Sequence, residues 1–152
     1  MTWHDNLVED DHSIREILLS AKKIAVIGIK DETRLHEAAH SVPAYLKENG
    51  FEVFPINPEF DQVFGTKTID SVLDLYEPVD VVLIFRAPGN VPDHAKEILE
   101  MNEKPSVVWM QSGITSMSSA KQLAAAGVKV VQDHCIYRDH LRLVGSRALA
   151  AA

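Results

Sequence analysis

Hydrophobic positions along this chain follow two alternating rhythms. In "HSIREILLSAKK", Ile14, Ile17, Leu18 and Ala21 recur at helical spacing, and Ser13 with Glu16 forms a capping-box pair, predicting a helix over about 13–22. "KIAVIGI" then runs apolar without polar alternation and closes around Gly28, the pattern of a strand at 24–29 covered on both faces. The two rhythms repeat to the C-terminus. "VPAYLKENG" places Val42, Tyr45 and Leu46 on one helical face and stops at Gly50. "FEVFPINP" (51–58) reads as a second strand, and "TIDSVLDLYEP" as a small strand or turn followed by a helical turn. "VDVVLIF" (79–85) is the most apolar strand of all. Helix "VPDHAKEILEMN", strand "SVVWMQ", helix "SMSSAKQLAAAG", strand "VKVVQD" and a closing helix "IYRDHLRLVG" complete the series, ahead of a loose Ala-rich tail.

Strands alternating with helices over such short spacings predict βαβ units and a parallel sheet. Right-handed crossovers make it an α/β fold, a doubly wound open sheet with expected strand order 3-2-1-4-5 and an extra N-terminal helix. The 152 residues fit one domain, with a core over about 13–143 and peripheral segments at 1–12 and 146–152.

Composition narrows the function classes. The net charge of −7 disfavours nucleic-acid binding, so any anionic ligand needs a local positive field. Cys135 is the single cysteine, which excludes an internal disulfide and a thiolate metal cluster. No apolar run approaches a membrane span and "MTWHDNLVEDDH" is acidic, so a cytoplasmic protein is expected.

The letters H-E-x-x-H occur once, at His36, Glu37 and His40. On a helix they would set two imidazoles on one face for zinc. Pro43 argues against that helix, because it has no N–H for the carbonyl of Ala39 and its ring clashes there. The expected start is Ser41 as N-cap with Pro43 just inside, leaving His36 in the loop and His40 at the helix mouth.

The same loop suits a different ligand. In a doubly wound sheet, ligands bind outside the carboxyl ends of the strands where the order reverses, here between Gly28 and Phe85. Gly28 allows close approach, the helix after Ser41 offers N–H groups to a phosphate, and Lys30, Arg34, His40 and Arg86 bring positive charge. A phosphate-bearing nucleotide follows. NAD is disfavoured, since no second glycine follows Gly28 and Asn57-Pro58 stands where a ribose-binding acid belongs.

Read together, "AVIG", "YLKENGFEVFPINP", "FGTKTIDSVLDLYEPVDVVLIFRAP", "VVWMQSGI", "AAAGVKVVQDHC" and "DHLRL" resemble the small stand-alone CoA-binding protein family, over about residues 20–143. That family is a Rossmann-like domain similar to the CoA-binding domain of the succinyl-CoA synthetase alpha subunit. The resemblance implies coenzyme A or an acyl-CoA as ligand. The loop at Gly28, Ile29 and Lys30 would cradle the diphosphate through backbone N–H groups, and Asn57 and Pro58 would border adenine and ribose. Phe85, Arg86, Ala87 and Pro88 would pack on the nucleotide and the start of the pantetheine arm, with Gln111, Ser112 and Gly113 further along. Where the synthetase subunit has a lysine after the second-strand proline, Glu59 and Phe60 stand here, so the 3′-phosphate falls to Lys30, Arg34 or Arg86. Asp133-His134-Cys135 stands where the family often carries D-R-C.

No nucleophile–base pair emerges. Cys135 and Trp109 read as buried residues, Asp93-His94 as a helix-start acid with a surface neighbour, and Ser118-Ser119 as a cap. The expected function is CoA binding without catalysis, with a small CoA ligand and a possible CoA-enzyme partner. The alternatives are a small NAD(P)- or nucleotide-dependent enzyme and, more remotely, a zinc hydrolase through His36, Glu37 and His40.

Overall fold

The computed structural model describes residues 2–146. Five strands form one parallel sheet: β1 (Lys23–Ile27), β2 (Glu52–Ile56), β5 (Val81–Ile84), β6 (Val107–Met110) and β7 (Lys129–Val131). β3 (Gln62–Val63) and β4 (Thr66–Lys67) make a separate antiparallel hairpin. The helices are α1 (Asp11–Ser20), α2 (Ala38–Glu48), α3 (Val91–Glu100), α4 (Met117–Ala125) and α5 (Ile136–Leu143). No helix among the described residues is long and apolar enough to cross a membrane. The Ala-rich tail, from residue 147, lies outside the described residues.

The apolar runs are strands buried on both faces, as their lack of alternation requires. Ile24 and Val26 of β1 point with Leu83 and Trp109 towards α1, α2 and α5, where Ile14, Ile17, Leu46 and Ile136 cover them. Ala25 and Ile27 point the other way, with Ile84 and Met110, under Val91, Ala95 and Ile98 of α3 and Leu123 of α4. This gives the three layers of a doubly wound α/β fold.

The sheet order corrects the expected 3-2-1-4-5. It is β2-β1-β5-β6-β7, so the five main strands run 2-1-3-4-5 in chain order. The third main strand, β5, pairs with β1, Ile24 opposite Val81 through Ile27 opposite Ile84. Outside β2 the described residues make only a single parallel bridge, Ile69 with Ile56. Pro55 explains why the edge goes no further: it offers a carbonyl to the Ile69 N–H (2.9 Å) but has no N–H to donate. At the opposite edge Leu7 bridges Val130, so the N-terminal segment caps β7.

Two helix starts differ from expectation. α1 begins at Asp11, with the Asp10 carboxylate accepting from the Ser13 N–H, so Asp10 rather than Ser13 is the cap. α2 begins at Ala38 with Glu37 as N-cap, which places Ser41 and Pro43 inside the helix. Pro43 is tolerated because the carbonyl it cannot serve, Ala39 O, accepts instead from the Lys30 N–H at 3.1 Å. The intrahelical bond that the proline cannot make is thus replaced by one from the loop, and the Ala39 carbonyl is not left unsatisfied.

Candidate functional site

The switch point lies between β1 and β5, and one glycine allows the two strand ends to meet. Gly28 has φ +83°, and a Cβ there would overlap the Phe85 carbonyl oxygen, lying 3.0 Å from its carbonyl carbon and 3.3 Å from Arg86 Nε. Both demands are met only by glycine. The Phe85 N–H donates to Ile27 O and the Gly28 N–H to Ile56 O, each at 2.9 Å, so three strand ends converge on this point.

The loop from Ile29 to Glu37 is tied down from every side. Lys30 bonds through both backbone groups, its N–H to Ala39 O and its carbonyl accepting from His40 Nδ1 at 2.9 Å. Buried Asn57 donates from Nδ2 to Ile29 O at 2.8 Å and accepts the Glu59 N–H at 2.9 Å. Asp31 caps a 3₁₀ turn over Glu32–Arg34 by accepting from the Thr33 N–H. Glu32 in turn accepts the Phe64 N–H at 2.7 Å, anchoring the loop to the β3–β4 hairpin. The loop is thus preorganised, with its cations on the rim. Lys30 Nζ lies 2.6 Å from Glu37 Oε1 and Arg34 Nη1 2.7 Å from Glu37 Oε2. Those hydrogen bonds, Lys30's first and Arg34's second, hold the Glu37 carboxyl below its usual range.

At the carboxyl ends of β1 and β2, on the α3 side of the sheet, opens a crevice of about 230 Å³ lined by Ile27, Ile56, Pro58, Ser71, Arg86 and His94, with Asp70, Asp93 and Glu97 around it. Burial, and then the Arg86 charge, push the His94 imidazole below its usual range and favour its neutral form. Three carboxylates against one guanidinium make the depth suited to a neutral polar group, such as a base or a ribose. An anion is better placed on the Lys30–Arg34 rim. Ligand pockets usually hold about 300–1,000 Å³, so this crevice has room for only part of a ligand of that size. Clefts of about 500–560 Å³ exist elsewhere, but the largest is at the amino-terminal edge beside Asp80, Ser106 and Lys129. Ligands of open α/β sheets bind at the carboxyl edge, which favours the smaller crevice.

The remaining expected residues continue along that edge. Phe85 and Arg86 are half-buried, whereas Ala87 and Pro88 are exposed, with Pro88 opening a 3₁₀ turn ahead of α3. Ser112 and Gly113 are exposed as well. Gly113 (φ +81°) donates its N–H to Asp133 Oδ1 at 2.6 Å, linking the β6 and β7 turns. Gln111 is buried and its Oε1 accepts the Ile136 N–H at 3.1 Å, at the start of α5. In the Asp133-His134-Cys135 segment, His134 Nδ1 lies 2.7 Å from Asp139 and the Trp109 indole N–H donates to the His134 carbonyl. Cys135 is half-buried, at the N-cap of α5.

Several side chains thus position backbone: His40, Asn57 and Gln111 each hold a loop or a helix start. Ile29 is fully buried and Ser41 is exposed on α2. The H-E-x-x-H letters do not share a helix face, because His36 is exposed before α2 begins while His40 is buried inside it. No group of three or more His, Cys, Asp or Glu close enough to hold a metal occurs among the described residues. Asp70, Ser71, His94 and Glu97 line the crevice unforeseen. Of these only His94 carried a signal, as part of an acid–His pair at a helix start.

Known proteins agree with this geometry. The chain is 42% identical to a Thermus thermophilus protein of solved structure, with a TM-score of 0.82 over 89% of this chain and 99% of that one. It is 34% identical to the Bacillus subtilis (strain 168) protein YneT over 127 residues, 84% of this chain and 91% of YneT. It is also 31% identical to the ADP-forming acetate–CoA ligase of Methanocaldococcus jannaschii, matching 80% of this chain but 18% of that enzyme. The sequence pattern of the CoA-binding domain matches residues 22–140, from the start of β1 into α5. By that match, which takes in every strand and the whole switch-point crevice, the chain belongs to the CoA-binding domain family.

Proposed function

We propose that this protein binds coenzyme A or an acyl-CoA across the carboxyl edge of its sheet, without catalysing a reaction of its own. The contact of Gly28 with Phe85 carries this reading, because it sets the start of the fixed cationic loop against Phe85 and Arg86 at one carboxyl edge, with Arg86 also lining the crevice. A base and ribose would enter beside Pro58, Ser71 and His94. The phosphates would meet Lys30 and Arg34. The pantetheine arm would then run over the exposed Ala87, Pro88, Ser112 and Gly113, which suits a ligand too long for the crevice alone. Membership of the CoA-binding domain family and the likeness to the ADP-forming acetate–CoA ligase support the choice of ligand. A single half-buried free thiol and a thiol ligand both fit a reducing compartment, so we place the protein in the cytoplasm, where a CoA enzyme is a possible partner.

Calorimetric titration with CoA, dephospho-CoA and NAD tests the reading. One CoA per chain, bound more tightly than dephospho-CoA and NAD, is expected. Binding of NAD in preference to CoA refutes it and favours a dinucleotide enzyme.

A further inference from the structure

The two rim cations are already bridged by an anion that belongs to the chain. Each oxygen of the Glu37 carboxylate takes one cation, Oε1 facing Lys30 Nζ at 2.6 Å and Oε2 facing Arg34 Nη1 at 2.7 Å. Two oxygens of one phosphate would engage a lysine and an arginine in the same manner. Glu37 is the N-cap residue of α2, yet its side chain makes no capping hydrogen bond. The cap it does provide is its backbone carbonyl, which accepts from the His40 and Ser41 N–H groups at 2.9 Å.

The backbone of neither cation depends on the Glu37 side chain for its place. Lys30 is fixed through its backbone by Ala39 and His40, and Arg34 by the Asp31-capped turn. The neighbouring carboxylates are engaged elsewhere, Asp31 with Thr33 and Glu32 with the Phe64 N–H. The Glu37 side chain is 40% exposed, open to exchange from solvent. We propose that the Glu37 carboxylate occupies the seat of a ligand phosphate, so that binding exchanges one anion for another on Lys30 and Arg34. Glu37 then sets affinity as an internal competitor. This rests on the CoA reading for the identity of the ligand, though not for the exchange itself.

The test is Glu37→Gln, which keeps shape and backbone cap but removes the charge. An ion pair that only supports the fold would lose stability and affinity together when broken. A placeholder predicts opposite signs: the melting temperature holds or falls slightly, while CoA binds about three- to tenfold more tightly at low salt. The gain shrinks as salt rises and vanishes when Arg34→Met is added. Titrations use CoA, dephospho-CoA and inorganic pyrophosphate. A gain with CoA alone assigns the seat to the 3′-phosphate, and an equal gain with all three assigns it to the diphosphate. Should neither protein bind CoA while Glu37→Gln gains for pyrophosphate, the CoA reading falls and the placeholder stands. No gain with any of the three, or weaker binding, overturns the proposal.

Discussion

Replacing Gly28 with alanine probes whether the β1 and β5 ends meet as closely as the site requires. Two costs are separable. The first is conformational: φ +83° strains any residue with a Cβ, by about 1–2 kcal/mol. The second is steric. The new methyl would overlap the Phe85 carbonyl oxygen and sit 3.0 Å from its carbon, against backbone that cannot swing aside as a side chain can. Relief requires the strand ends to part, at about 1–3 kcal/mol for overpacking and a further ~1 kcal/mol for each weakened bond among Phe85 N–H to Ile27 O and Gly28 N–H to Ile56 O. Against this stands a gain of about 0.4–1 kcal/mol from a stiffer unfolded chain. The net loss is about 3–6.5 kcal/mol. Gly113 is the control: its φ is +81°, but a Cβ there would meet nothing within 4 Å, so Gly113→Ala should cost only about 1 kcal/mol. Urea unfolding of both variants measures the difference, provided the slopes stay equal. Equal losses would refute the close approach and, with it, the convergence that carries the functional reading.

Three further outcomes follow from particular contacts. Asn57→Ala should cost about 2–3 kcal/mol and weaken ligand binding, because it strips partners from Ile29 O and the Glu59 N–H; urea unfolding with calorimetry checks it, and unchanged affinity would separate the loop from the site. Pro43→Ala should stabilise by less than about 1 kcal/mol rather than the ~3 kcal/mol of an ordinary mid-helix proline, since Ala39 O is already served by Lys30; a full 3 kcal/mol gain by urea unfolding would contradict that. His94 and His140 both titrate below their usual value because of burial, so the folded state holds protons more weakly than the unfolded chain. Their contribution is complete above about pH 6.5 and is lost as pH falls through the lowered folded values. Urea midpoints at pH 7.5 and 5.5 should drop towards acid, less so in His94→Asn; a rising midpoint would show the sign to be wrong.

What the sequence disclosed depended on whether a feature was local or relational. Strands buried on both faces must be apolar without alternation, so β1, β5 and β6 stood out, and the alternation with helices settled the α/β class. The β1–β5 switch point was legible as well, because it needed only two strand ends, marked by Gly28 and by Phe85 with Arg86. Sheet order was not. It turned on whether the chain after β2 adds a strand, and Pro55, whose carbonyl takes the Ile69 N–H fourteen positions on, has no N–H with which to carry that pairing further along the edge. The β3–β4 hairpin was invisible for a similar reason. Its turn puts Phe64 at φ +54°, a conformation usually supplied by Asn or Gly, and the compensation comes from afar: Glu32 takes the Phe64 N–H, while His40 and Lys47 meet its ring.

Pro43 shows the same limit at the site itself. A proline in that register properly predicts a helix beginning at Ser41, unless some other donor takes the carbonyl of Ala39. Lys30 does so, and its own carbonyl then receives His40. The proline therefore leaves vacant the acceptor that pins the Ile29–Glu37 loop to α2. What reads locally as a helix breaker becomes, across a span of thirteen residues, the means by which Lys30 is held at the rim. The same holds for Asn57, whose letter at a strand end suits ligand contact and loop anchoring equally. Its 2.8 Å bond to Ile29 assigns it the anchor, so substitution there reaches a ligand through the loop as well as through any direct contact, and the cost to binding should exceed what one lost hydrogen bond explains.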